Sequence, residues 1–392
     1  MIANAVNYLY HLLMGRILGP VEYGVLASLY SVLYLIGIIP ISASISIVKF
    51  ISSAKESEIY SVYKSINIFI MKLAIALSIV LLFLSPPVAN FLHIDNYWVV
   101  VLLSPILLFS LITLVNQAAL QGILKFGGTV IPTLISSLIK LILGIVLVVL
   151  GWSVFGAMVG VVIGAVFAYI YSSWYIKKYI NKTKLHPLSL KPFFIYSFPV
   201  LIQALAFTSL FTVDVILVKH FFSPFEAGIY AALSTLGKII FFAASPIAAT
   251  MFPIVSGRKA RGEAHQKVFL VSLGLTVIMT VAITGFYWLF PDIAIGVLYG
   301  SAYLSAKLSL VWMGIFILFY TLSNLLVSYS LSLGNIKVVV FPMLAAFLQV
   351  PLLWVFHGSI LQVIQISLVL ALLMFLSLVF YLGYNRLIRK YA

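Results

Sequence analysis

The chain has 392 residues, 64% of them hydrophobic and only 8% charged, with no cysteine. A soluble domain carries about 25% charged residues, so a soluble enzyme, a disordered chain and a secreted disulfide scaffold are excluded. The net charge of +15, from 23 basic and 8 acidic residues, reads as the basic cytoplasmic loops of a polytopic membrane protein, not as a nucleic-acid surface.

In chain order the apolar runs fall at about 2–16, 22–48, 65–86, 97–122, 128–150, 153–176, 192–218, 226–254, 266–290, 303–333, 337–356 and 359–384. A backbone in hydrocarbon must satisfy its own polar groups, and runs such as LIKLILGIVLVVL lack the alternation of a barrel strand. The expected fold is therefore all-α, with about 12 membrane spans. The start, MIANAVNYLYHLLMG, lacks a basic head and is taken as a short first span, not a cleavable signal. Alternate loops hold Lys49, Lys55 and Lys64, then Lys125, then Lys177, Lys178, Lys182, Lys184 and Lys191, then Arg258, Lys259, Arg261 and Lys267, then Lys337. The tail adds Arg386, Arg389 and Lys390, whereas the opposite loops hold Arg16, Lys219 and Lys307. This bias places both termini of the multi-pass chain in the cytoplasm.

The halves repeat. Pro20-Val21-Glu22-Tyr23-Gly24 returns as Pro224-Phe225-Glu226-Ala227-Gly228, Pro40-Ile41-Ser42-Ala43-Ser44 as Pro246-Ile247-Ala248-Ala249-Thr250, and Val130-Ile131-Pro132-Thr133-Leu134 as Val340-Phe341-Pro342-Met343-Leu344. The shifts drift only from 204 to 210. Two pseudo-symmetric six-helix bundles are expected, residues 1–185 and 186–392. Six spans each make them parallel repeats, which place a substrate cavity between the halves. Pro40, Pro105, Pro132, Pro199, Pro246 and Pro342 lie within spans and are expected to bend them. Gly156, Gly160 and Gly164, four apart, suit close helix packing.

The segment Gly15-Arg16-Ile17-Leu18-Gly19-Pro20-Val21-Glu22-Tyr23-Gly24 resembles the start of the polysaccharide and lipid-linked oligosaccharide flippases of the multidrug/oligosaccharidyl-lipid/polysaccharide exporter superfamily. Asp214-Val215-Ile216-Leu217 with Pro224 to Tyr230, and Leu298-Tyr299-Gly300-Ser301-Ala302-Tyr303, are similar to later parts of that family. The resemblance implies two six-helix bundles around a central cavity that opens alternately to each side. It also implies lipid-linked saccharide as substrate, membrane lipid and polysaccharide assembly proteins as partners, and a plasma membrane as the location. The first span departs from the family by being short.

A charge near the bilayer centre costs at least ~2.5–3.5 kcal/mol on insertion scales. Lys72, Lys140, Asp214 and Lys238 lie within spans. Lys72 is near enough to an end to snorkel; Lys140 and Lys238 are central. Polar stripes at helical spacing accompany them: Asn4, Asn7 and His11 in the first span, Ser110, Thr113, Gln117 and Gln121 in the fourth, Thr133, Ser137 and Lys140 in the fifth, Ser234, Lys238 and Ser245 in the eighth, and Thr321, Asn324 and Ser328 in the tenth. Any single hydroxyl here is read as an interhelical hydrogen bond. Five stripes with two central lysines are read as a hydrated cavity. The charges break the repeat, since Asp214 falls on Tyr10 and Lys238 on Tyr34 at a shift of 204, which marks them as functional candidates.

With three positive charges and one negative, the spans suit an anionic substrate, and a polyprenyl (pyro)phosphate-linked oligosaccharide fits. Lysines would offset the phosphates and the polar stripes would bond sugar hydroxyls. The substrate-binding candidates are Lys140, Lys238, Arg16, His11, Asn7, Gln117, Gln121 and Asn324. No Gly-x-x-x-x-Gly-Lys-Ser/Thr motif is present, so energy is expected from an ion gradient, the membrane potential or substrate supply. Asp214 is the candidate for binding a proton or sodium ion; no other cofactor or metal is expected. A drug/cation antiporter of the same superfamily would want more acids. A membrane glycosyltransferase or phosphatase would want paired acids or histidines at a loop, and a non-transporting scaffold would not need central lysines.

Overall fold

The computed structural model describes residues 2–54, 57–180 and 191–391. Lys55, Lys182, Lys184 and the predicted boundary at 185/186 lie outside the described residues. Among those described, the regular structure is helical throughout. The helices are α1 (Ile2–Ile36), α2 (Ile38–Ser53), α3 (Ile59–Phe91), α4 (Tyr97–Val101), α5 (Leu103–Gly122), α6 (Gly127–Leu147), α7 (Ser153–Tyr179), α8 (Lys191–Leu210), α9 (Val213–Phe221), α10 (Pro224–Ala260), α11 (Gln266–Leu289), α12 (Pro291–Leu298), α13 (Lys307–Ser332), α14 (Val340–Val355) and α15 (Ile360–Tyr391). Two compact units result, Met1–Ala204 and Leu205–Ala392.

Nine helical stretches among the described residues are long and apolar enough to cross a membrane, and ten if α9 is taken with the end of α8, to which it lies at 42°. Two of these stretches are hairpins, which raises the number to the expected twelve. In α1, Gly19 has φ 72, a left-handed conformation open to glycine. Tyr10 and Tyr30 would stand about 30 Å apart on a straight helix, yet their ring centroids are 6.0 Å apart. The chain therefore doubles back at Gly19, and Pro20 opens the second limb where its missing N–H costs nothing. The stretch Gly127–Tyr179 folds at Gly151 (φ 91), inside a π-helical turn over Val148–Trp152. A Cβ on Gly156 would lie 2.8 Å from the Leu147 side chain, on Gly160 2.8 Å from Gly144 N, and on Gly164 2.8 Å from Ser136 O. Those pairings diverge with distance from the turn, as antiparallel helices require, and only glycine permits the approach.

The outer faces are apolar. Phe83 and Phe347 are each 76% exposed, and Phe380 is 77% exposed. Water would not tolerate such a surface, but lipid does. α11 turns Ser272, Thr276, Thr280 and Thr284 inward at steps of four, a polar stripe that sequence reading passed over. Thr276 and Thr280 donate to the carbonyls four residues earlier, and Thr284 reaches Gly314 O on α13. In the second unit Met251, Val255 and Leu325 form a core on which Phe269 and Tyr329 pack.

The repeat is visible in the backbone. After α5, Leu124 N donates to Gln121 O and Lys125 N to Leu120 O. After α13, at a shift of 210, Gly334 N donates to Leu331 O and Asn335 N to Ser330 O. Both turns place a left-handed residue, Leu124 (φ 62) or Gly334 (φ 75), at the same point. The prolines interrupt their spans to different degrees. Pro40, Pro105 and Pro342 fall in the first turn of α2, α5 and α14, where no helical partner is lost. Pro246 instead lies deep inside the uninterrupted α10, so Pro40 and Pro246 do not shape their units alike.

Candidate functional site

In the first unit, the buried Lys140 on α6 extends to the first limb of α1. Its Nζ donates to Asn7 Oδ1 at 2.6 Å and stands 4.5 Å from the Tyr10 ring centroid and 5.4 Å from that of Tyr30. Tyr10 is fixed in turn by donating from its hydroxyl to Ala157 O on α7 at 3.3 Å. His11 lies edge-on to Tyr30 at 4.5 Å. Asn7, His11 and Lys140 are thus assembled in one place, on a floor of two tyrosines. Every one of these partners of the ammonium is neutral. An aromatic face is worth ~0.5–2 kcal/mol to a cation, and Asn7 engages one of three N–H donors, so the charge keeps bonding capacity. Gly160 and Gly164 bring α7 against the backbone of α6 at Lys140, and larger residues there would displace it.

The second unit holds a different arrangement. α8 ends at Leu210 and α9 begins at Val213, and this break leaves backbone groups needing partners. Gln349 on α14, fully buried, donates to Leu210 O at 3.0 Å and to Ser367 Oγ on α15 at 3.1 Å. Asp214, just past the break, accepts from Tyr230 Oη on α10 at 2.6 Å and from Val215 N at 2.8 Å. Its partner is therefore not the nearby Lys219 or His220 that chain proximity suggests. Lys238, two turns along α10 from Tyr230, is buried and lies 5.0 Å from the Phe211 ring centroid. Lys238 and Asp214 are close enough to act on each other electrostatically. Phe211, Phe207 and Phe241 surround Tyr320, whose hydroxyl donates to Phe207 O at 3.1 Å. The unit thus contains a buried carboxylate held by Tyr230 and a buried ammonium over Phe211.

The remaining predicted residues lie elsewhere. Gln117 ties α5 to α6, donating to Thr129 O and Thr133 Oγ1, each at 3.1 Å. Thr133 and Ser137 donate to carbonyls four residues back. Gln121 is half-buried near the end of α5, Asn324 half-buried on α13, Arg16 exposed beside the Gly19 turn and Lys72 exposed on α3. Tyr10, Tyr30, Tyr230 and Gln349 were missed by sequence reading. Tyrosine and glutamine in an apolar run carry no local sign that they will face a charge.

No group of three or more histidine, aspartate or glutamate side chains able to hold a metal occurs among the described residues. No curated protein matches the chain in sequence. The fold is that of known transporters. The chain superposes on a multidrug resistance MATE family transporter of the MOP superfamily in its inward-facing conformation, with TM-score 0.75 and 13% identity over 98% of this chain and 95% of the other. It superposes on the lipid II flippase MurJ with TM-score 0.77 and 16% identity over 97% and 87%. A third likeness is a MOP superfamily transporter from Pyrococcus furiosus, with TM-score 0.64 and 17% identity over 98% and 93%. The sequence pattern of one family matches residues 13–308, most of the chain, and by that match this multi-pass membrane protein belongs to the polysaccharide biosynthesis protein family.

Proposed function

We propose that the protein is a flippase, which moves a polyprenyl (pyro)phosphate-linked oligosaccharide across the plasma membrane by alternating access, with both termini in the cytoplasm. The observation that carries this reading is Lys140, a buried ammonium whose partners are an amide and two aromatic rings. An uncompensated charge in hydrocarbon is retained where it meets a ligand of opposite sign. Phosphate supplies that sign, and charge-assisted hydrogen bonds to it are the strong kind. Asn7 and His11 would share the headgroup with Lys140. Lys238 would offset phosphate charge from the second unit, Arg16 would meet the phosphate at the membrane surface, and Gln117, Gln121 and Asn324 would bond sugar hydroxyls. The likeness to a lipid II flippase and membership of the polysaccharide biosynthesis family support a lipid-linked saccharide over a drug. Asp214, beside a broken helix, is the proposed site for a coupling proton or sodium ion.

The likeness to a MATE transporter favours a second reading, a drug/cation antiporter. Such a protein attracts cations, whereas among the described residues Asp214 is the one acid deep within a span, and its carboxylate is held by Tyr230 and Val215 N. The test is translocation of a fluorescent polyprenyl-pyrophosphate oligosaccharide in proteoliposomes. Wild type should move it chemically unaltered, and Lys140→Met and Lys238→Met should each reduce the rate at least tenfold at equal reconstitution. Normal rates in both variants, or export of an organic cation instead, would refute the reading.

A further inference from the structure

A polar cavity lies wholly within the first unit and shares no residue with the Lys140 cluster. It measures about 570 Å³ and is formed where α3, α5 and α7 meet. Its lining follows one face of each helix. On α3 it runs from Tyr60 through Lys64 and Asn67 to Met71, and on α7 from Ile180 through Lys177 and Ser173 to Tyr169. Eleven residues of helix make a groove about 16 Å deep, roughly half the hydrocarbon thickness.

The groove is graded. Lys64 lies five residues from the start of α3 and Lys177 two from the end of α7, so both ammonium groups sit at the mouth. Neither has an ion-pair partner among the described residues. Among the described residues no acidic side chain lines the cavity. Below them Tyr63 Oη donates to Asn116 Oδ1 at 2.8 Å, and Asn116 Nδ2 donates to Ser172 Oγ and Ser173 Oγ at 3.2 and 3.1 Å. That network is satisfied and fixes the wall. Asn67 differs, because its Oδ1 is buried with no hydrogen-bond partner. An acceptor so placed is costly unless a donor arrives. Met71 and Ile112 make the deep end apolar.

The geometry points to a binding site for a phosphodiester headgroup that carries hydroxyls, on an anionic phospholipid of the leaflet facing the basic loops. Lys64 and Lys177 take the phosphate, Asn67 Oδ1 accepts from a headgroup hydroxyl, and the start of an acyl chain runs toward Met71. The site is separate from the transport reading and stands without it.

Native mass spectrometry of the delipidated full chain in detergent tests this, with phosphatidylglycerol, phosphatidylcholine and soluble glycerol 3-phosphate as probes. A basic residue at a membrane surface is worth about five-fold in binding of an anionic lipid. The double variant Lys64→Gln/Lys177→Gln should therefore bind phosphatidylglycerol about 25-fold more weakly, and Asn67→Leu about five-fold more weakly. Lys178→Gln, on the same helix but outside the lining, should bind as wild type. Equal binding of phosphatidylcholine, an unchanged double variant, or an equal loss in Lys178→Gln would overturn the site. Glycerol 3-phosphate held as tightly as the lipid would overturn the lipid as its occupant.

Discussion

Asn7 and Lys140 are 133 residues apart and meet at 2.6 Å, and the stability of the first unit rests partly on that bond. Removing one partner of a buried charged group leaves the other unsatisfied, at about 1–3 kcal/mol. Asn7→Leu should lower the thermal unfolding midpoint in detergent. Lys140→Met in the same background should restore much of the loss, because the stranded charge is gone. Asp214→Asn works differently. Asparagine keeps an acceptor for Val215 N, and the Tyr230 hydroxyl can turn to accept from the new amide, so the fold survives while the charge is lost. Stimulation of flipping by an imposed proton or sodium gradient should fall, and an unaltered gradient response would remove Asp214 from the coupling role. The sequence made Lys140, Lys238 and Asp214 conspicuous because charge is rare in apolar runs. It gave no sign that Tyr230, and not Lys219, partners Asp214, since that choice depends on how α10 packs beside α9.

At the scale of elements, the turn after α5 is informative. Leu124 is 72% exposed and held at φ 62, where a side chain costs roughly 1–2 kcal/mol relative to glycine. Its counterpart in the repeat is Gly334. Leu124→Gly should therefore raise stability by about 1 kcal/mol, read as a higher unfolding midpoint, with transport unchanged. The spans themselves were legible from hydropathy, because apolar length is a local property. The hairpin turns at Gly19 and Gly151 were legible too. A Gly-Pro pair marks the first, and the division of the apolar runs between 150 and 153 marks the second at Gly151-Trp152. Pro40, Pro105 and Pro342 each come three residues after an interruption of the helix, as proline chemistry predicts, whereas Pro246 lies in an uninterrupted helix.

For the whole molecule, orientation follows from the distribution of lysine and arginine, and the cysteine-free sequence makes it directly testable. Single substitutions Lys178→Cys and Lys307→Cys occupy exposed positions. A membrane-impermeant maleimide applied to intact cells should label Lys307→Cys at once, and Lys178→Cys only after permeabilisation. The reverse pattern would invert the proposed topology. The two units also use their lysines differently. Tyr10 and Asp214 each lie ten residues before the turn proline of their unit, Pro20 or Pro224, and each stands near a buried lysine. The first unit answers that lysine with neutral groups and the second with a carboxylate.

The sequence by itself determined that the chain is helical, spans a membrane about twelve times, repeats internally and carries rare charges in its spans. All of these depend on composition and on spacing along one strand of chain. The tertiary structure decided which groups face the charges, which stripes bond to their own helix, and that α3, α5 and α7 enclose a polar cavity. Those outcomes depend on the rotation of each helix about its axis, which is set by packing between residues far apart in the chain.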